Sequence, residues 1–189
     1  MRRLFISINI PEDIKSRIRK KNDILESALP DAKYAGEKNW HLTLIFLGYQ
    51  EDGAVLPIIN SMKETADRFA SPEIILDKIS YAPPAGPPRM IWLYGNSETS
   101  KNLSFLKIAL EDELIKNKVR FKLENREFNS HTTLARLNDI PKEELPEIGK
   151  EFEGLDLFFV AGGLDLMESR LSKSGPTYEL LQHIDFEGD

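Results

Sequence analysis

Trp40-His41-Leu42-Thr43-Leu44-Ile45-Phe46-Leu47-Gly48 sets a histidine and a threonine, two positions apart, inside an otherwise apolar run rich in β-branched and aromatic residues. That composition suits a strand buried on at least one face. Side chains alternate along a strand, so His41 and Thr43 are expected on one face, with Leu42, Leu44 and Phe46 on the other. An imidazole and a hydroxyl then project side by side. The same spelling returns as Ser130-His131-Thr132-Thr133-Leu134-Ala135-Arg136, where His131 and Thr133 again share a face. One histidine on a strand reads most simply as a hydrogen-bonded core residue. Two H-x-T-L strings, using two of the 3 histidines in the chain, read as a functional constellation.

Outside these strings, residues 3–9 alternate as a strand whose largest side chain is Phe5. Pro11, Glu12 and Asp13 open a helix, because proline fits the first turn and acids favour its positive end. Ile14, Ile18, Ile24, Leu25 and Leu29 carry its apolar stripe to Pro30. Within it, Arg17-Ile18-Arg19-Lys20-Lys21 is the densest basic run, read as a solvated helix face with an RNA-contacting face as the alternative. A loop over 31–39 leads into the first histidine strand. A helix over 53–70 follows, with Pro57 near its start, where proline is tolerated. Then come a strand over 74–80, a proline-rich loop over 81–89 and a strand over 90–95. A second long helix over 99–117, an extended segment near 119–123 and the second histidine strand complete what reads as two similar halves. After a charged segment over 142–150, strands are expected over 155–161, 164–171 and 178–186, with turn chemistry at Gly162-Gly163 and over 172–176.

Composition narrows the chemistry. At 189 residues, 41% hydrophobic and 30% charged, the chain is an ordinary globular sequence, long enough to bury a substantial core. With 0 cysteines, disulfides, thiolate zinc sites and a cysteine nucleophile are excluded. No H-E-x-x-H cluster, G-x-x-x-x-G-K-[ST] loop or G-x-S-x-G elbow occurs, so the usual metalloprotease, nucleoside-triphosphatase and serine-hydrolase readings fall away. No segment approaches the roughly 20 apolar residues that span a bilayer. A cytoplasmic protein without membrane association is expected. The net charge of −6 argues against coating long nucleic acid, yet it allows recognition of one terminal phosphate by a few local groups.

The two histidine strings, the opening Arg3-Leu4-Phe5-Ile6-Ser7-Ile8, and the tail Met167-Glu168-Ser169-Arg170-Leu171-Ser172 with Gly175-Pro176-Thr177-Tyr178 resemble the 2H phosphoesterase superfamily. They are most similar to its branch of RNA 2′,3′-cyclic phosphodiesterases, once described as 2′-5′ RNA ligases, and the resemblance covers nearly the whole chain. It implies an α+β fold: one bilobal domain over 1–189 with two pseudo-symmetric lobes, each an antiparallel sheet backed by helices. The two H-x-T-x motifs would face each other across a central cleft.

The resemblance further implies His41 as proton donor and His131 as proton acceptor, Thr43 and Thr133 as donors to phosphate oxygens, and no metal or other cofactor. Two imidazoles suit these opposite tasks, since each can hold either protonation state near neutrality. Arg136 is a candidate phosphate ligand, although strict alternation turns it away from His131 unless a bulge intervenes. Phe5 is a candidate for stacking on a base, Trp40 a weaker one, and His183 is read as a surface or structural residue. The expected substrate is RNA with a 2′,3′-cyclic phosphate terminus or a small cyclic nucleotide, the product a 2′-phosphomonoester, and the protein a monomer. Two alternatives stand beside this: a 2H phosphodiesterase acting on another small cyclic or 2′-5′ linked nucleotide, and an RNA-end binding module with little catalysis.

Overall fold

The structure, a computed structural model, describes residues 1–137, 145–148, 152–172 and 175–188. Nine strands and three α-helices succeed one another among them as β1 (Arg2–Asn9), α1 (Glu12–Ala28), β2 (Lys33–Tyr34), β3 (His41–Gln50), α2 (Val55–Ala66), β4 (Glu73–Ala82), β5 (Met90–Gly95), α3 (Ser97–Lys116), β6 (His131–Arg136), β7 (Glu153–Val160), β8 (Gly163–Ser172) and β9 (Gly175–Asp185). Pro11 caps α1, with Glu12 and Asp13 in its first turn, as the sequence predicts. The 142–150 segment lies largely outside the described residues.

The strands form two antiparallel sheets, one in the order β3-β1-β8-β9 and the other in the order β2-β6-β5-β4-β7. The α+β class and the two-lobed arrangement are therefore as expected. The lobes are not the two halves of the sequence, however. β4 leaves the first half to join the second sheet, and the chain end returns as β8 and β9 to complete the first. Buried apolar residues of both sheets and all three helices, among them Ile8, Ile18, Met62, Leu110, Leu134 and Leu166, form one continuous cluster.

Two local readings change. The 119–123 segment is not a strand. Lys118 adopts φ 59 after α3, Val119 N–H bonds the Leu114 carbonyl (2.9 Å) and Lys118 N–H bonds that of Ile115 (2.9 Å). This is the double bond that closes a helix through a left-handed residue, so the segment is spent turning the chain and covering the core with Val119. In the 31–39 loop, Lys33 and Tyr34 form the short β2, paired with Arg136 and Ala135 of β6.

The feature that places the site is a bulge common to both histidine strands. On β3, Ser7 of β1 faces Thr43 and Ile6 faces Ile45, so Leu44 is an extra residue. On β6, Trp92 of β5 faces Thr133 and Ile91 faces Ala135, so Leu134 is the extra residue. A bulge resets the alternation that follows it. Phe46, expected on the face opposite His41, is thereby carried onto the same face, opposite Phe5. Arg136 is carried onto the face of His131 in the same way, opposite Met90 and Lys33.

Candidate active site

His41, Thr43, Phe46, His131, Thr133 and Arg136 all line one cavity of about 1080 Å³, so the two repeated strings meet at a single place. β3 and β6 lie against each other beneath it. The start of β6 is pinned from behind: Ser130 is buried, its N–H donates to Ser100 Oγ on α3 (3.1 Å), and the two hydroxyls lie 2.8 Å apart. Gly95 N–H bonds the Ser130 carbonyl, and a Cβ on Gly95 would fall 2.1 Å from Ser130 Oγ, so only glycine permits this close approach.

The two imidazoles are held alike. His131 Nδ1 lies 2.7 Å from the Asn129 carbonyl, and because a carbonyl only accepts, Nδ1 carries the hydrogen and Nε2 is left free. His41 is hydrogen-bonded to the backbone of Asn39, again two positions upstream. The repeat is therefore longer than the strings suggest, since both read Asn-x-His-x-Thr-Leu. Asn39 and Asn129 are site residues that an extended comparison of the two strings would have found.

Aromatic rings fix both imidazoles. The Trp92 ring stacks on His131 with centroids 3.6 Å apart and planes at 18°. His41 packs against Phe5 (4.9 Å) and meets Tyr178 edge-on (5.0 Å, 90°). Trp92 and Tyr178, separated from the strings in sequence, carry no local signal of this role. Phe5 is only 2% exposed, covered by Phe46, Tyr178 and His41, so it offers no open face to a base. The exposed ring on that rim is Phe46, at 54%. Trp40 is buried in the core.

Thr43 and Thr133 are half-buried, and among the described residues neither hydroxyl hydrogen-bonds another protein group. Both are free to donate into the cavity. His183 lies elsewhere, pairing with Asp165 and Asp185, and Asp165 is the main cause that raises its pKa. Nor does the basic run on α1 reach the cavity; Arg19 pairs with Asp23 (2.8 Å) and Glu26 (3.5 Å). Among the described residues no group of three or more His, Asp or Glu is arranged to hold a metal ion, and no helix is long and apolar enough to cross a membrane.

Burial is the leading influence on both imidazoles. It pushes the His41 pKa down to about 4, with His131 and Lys15 adding to the effect and the Asn39 carbonyl opposing it. It also lowers His131, against the opposing Asn129 carbonyl. Folded His41 thus refuses a proton that the unfolded chain accepts below pH 6.5. Its stabilising contribution is complete above that pH and is lost as pH falls toward 4, by up to about 3 kcal/mol. His41→Gln, which does not titrate, is expected to lose that much less stability than the wild type between about pH 7 and 4, read from urea midpoints. Equal losses would contradict the burial argument.

Comparison with known proteins agrees with this architecture. The model of the LigT like Phosphoesterase family matches twice, over residues 8–92 and 95–178. An RNA 2′,3′-cyclic phosphodiesterase of Methanocaldococcus jannaschii is 30% identical over 184 residues, covering 95% of this chain and 98% of the relative. One from Thermotoga maritima is 25% identical, covering 98% and 96%. In fold, the chain is similar to a Thermus thermophilus crystal structure (TM-score 0.79, 23% identity, 99% of both chains). Escherichia coli LigT complexed with 3′-AMP is also similar (TM-score 0.74, 20% identity, 98% of both chains). With the family model matched over both halves and its doubled motif gathered in one cavity, the chain belongs to the LigT-like phosphoesterases of the 2H family.

Proposed function

We propose that the protein hydrolyses 2′,3′-cyclic phosphate ends of RNA to 2′-phosphomonoesters, the two lobes acting as one catalytic unit. The observation that carries this is the convergence of two like-tethered imidazoles, each with a free threonine hydroxyl beside it, on one cavity. The names of the relatives support the same substrate class.

In this scheme a water attacks phosphorus while His131 Nε2 takes its proton. The bond from phosphorus to O3′ breaks, and His41 Nε2–H gives a proton to the departing oxygen. Thr43 and Thr133 donate hydrogen bonds to the non-bridging oxygens, where charge builds in the transition state. Arg136, an exposed guanidinium on the His131 face, adds a cation to the same region. Each proton that leaves one imidazole is matched by one gained at the other, and no metal or cofactor takes part. An anionic phosphate between the rings raises both pKa values on binding, which recharges His41 for its task as acid. With a 5′ hydroxyl in place of water, the same displacement would form a 2′-5′ linkage: His131 Nε2 takes the hydroxyl proton, the bond from phosphorus to O3′ breaks and His41 protonates O3′; cleavage of that linkage is the reverse step, with the two roles exchanged.

The test is turnover of a nucleoside 2′,3′-cyclic phosphate in EDTA with the product identified by phosphorus NMR. Formation of the 2′-phosphate supports the scheme. Tight binding without turnover would favour an RNA-end binding module, and turnover that EDTA abolishes would reject the metal-free route.

A further inference from the structure

The cavity has two unlike rims, although the strands that build it are alike. Position for position, the bulged strings set Phe46 where the other sets Arg136, and the neighbouring strand sets Phe5 opposite the first and Met90 opposite the second. One rim is aromatic: Phe5, Phe46 and Tyr178. The other carries Lys33, directly across from Arg136 on β2, and Arg89, just before Met90 at the start of β5. Lys33, Arg89 and Arg136 are all exposed and all line the cavity. Among the described residues none of the three makes an ion pair or a side-chain hydrogen bond, whereas Arg126 farther along the wall is paired with Glu124 (2.9 Å). Three such cations side by side, on a protein of net charge −6, are a local concentration of positive charge with no partner among the described residues.

We propose that Lys33 and Arg89 form the exit path for the RNA strand, binding the phosphodiester groups upstream of the terminal nucleotide. This rests on the proposed function and adds to it the direction in which the strand leaves. The reacting phosphate needs only the groups around the two histidines. A cation beyond Arg136 is useful to a chain that continues and idle toward a mononucleotide. The path makes these two residues determinants of the preference for polynucleotide ends, through contacts that are electrostatic and independent of sequence.

The experiment compares kcat/KM for a short oligoribonucleotide ending in a 2′,3′-cyclic phosphate with that for a nucleoside 2′,3′-cyclic phosphate, over a range of salt concentrations. Lys33→Glu and Arg89→Glu are each expected to lower the oligonucleotide value by about tenfold at low salt and to flatten its salt dependence by about 0.7 in log–log slope. The mononucleotide value should change far less. Lys33→Gln and Arg89→Gln, at the same exposed positions, should give smaller losses in the same direction. Arg3, a cavity-lining cation on the aromatic side, is the control. If Arg3→Glu takes the loss instead, or if both substrates fall together in every variant, the strand path is overturned while the cyclic phosphodiesterase reading stands. If the wild type turns over neither substrate, that reading fails and the strand path falls with it.

Discussion

His41→Ala is expected to lower kcat for a cyclic nucleotide by about a thousandfold, and His131→Ala by a similar factor, since a positioned acid or base contributes roughly 10²–10⁴. The double variant should be little worse than either single one, because both proton transfers belong to one displacement and residues acting as a unit lose their effect together. The pH dependence separates the roles. An acid must be protonated and a base neutral, so the wild-type profile is a bell. The kcat/KM profile reports the free enzyme; with both imidazoles held low by burial, its maximum should fall below pH 6.5. The kcat profile should peak at higher pH, because a bound anionic phosphate favours both imidazolium forms. His41→Ala should lose the alkaline fall and His131→Ala the acid rise. A profile flat from about pH 5 to 9, or either variant keeping the wild-type rate, would dismantle the acid and base pairing.

The second large effect belongs to the threonines. Thr43→Val and Thr133→Val each preserve shape while deleting a hydroxyl that has no other partner among the described residues, and each is expected to lower kcat by about a hundredfold. Substrate binding should suffer less, because the hydrogen bonds strengthen as charge moves onto the phosphate oxygens. The pH profile should keep its form, since neither hydroxyl titrates in the range. Steady-state kinetics with a cyclic nucleotide would check this. A rise in KM with kcat unchanged would reassign both groups to simple binding.

Much of this is legible in the sequence, and each miss has a physical cause. Period-two alternation marks β1, β3 and β6, and the repeated His-Thr pairs name residues that line the cavity. The bulges were invisible, because the inserted residues Leu44 and Leu134 are ordinary apolar residues buried like their neighbours. Strict alternation therefore puts Phe46 on the wrong face, and Arg136 reaches the cavity through a bulge that nothing in its surroundings announces. β2 escaped notice because two residues carry no period. Val119 to Leu123 looked extended because a lysine, not a glycine, takes the left-handed turn that ends α3. The crossing of β4, β8 and β9 between sheets is long-range pairing, which no window of sequence contains. Trp92 and Tyr178 act on the histidines only through such pairing.

The matching bulges bear on regiochemistry. A 2′,3′-cyclic phosphate presents two ester oxygens of nearly equal leaving ability, and a pair of equivalent His-Thr units has no intrinsic means of telling them apart. On the proposed reading, the choice between a 2′ and a 3′ product is made by whatever turns the ribose before it reacts, and the first unlike residues beyond the duplicated core that line the cavity are Phe46 and Arg136. On that reading the duplicated scaffold supplies the reactive groups, and the unlike rims that flank it supply the handedness.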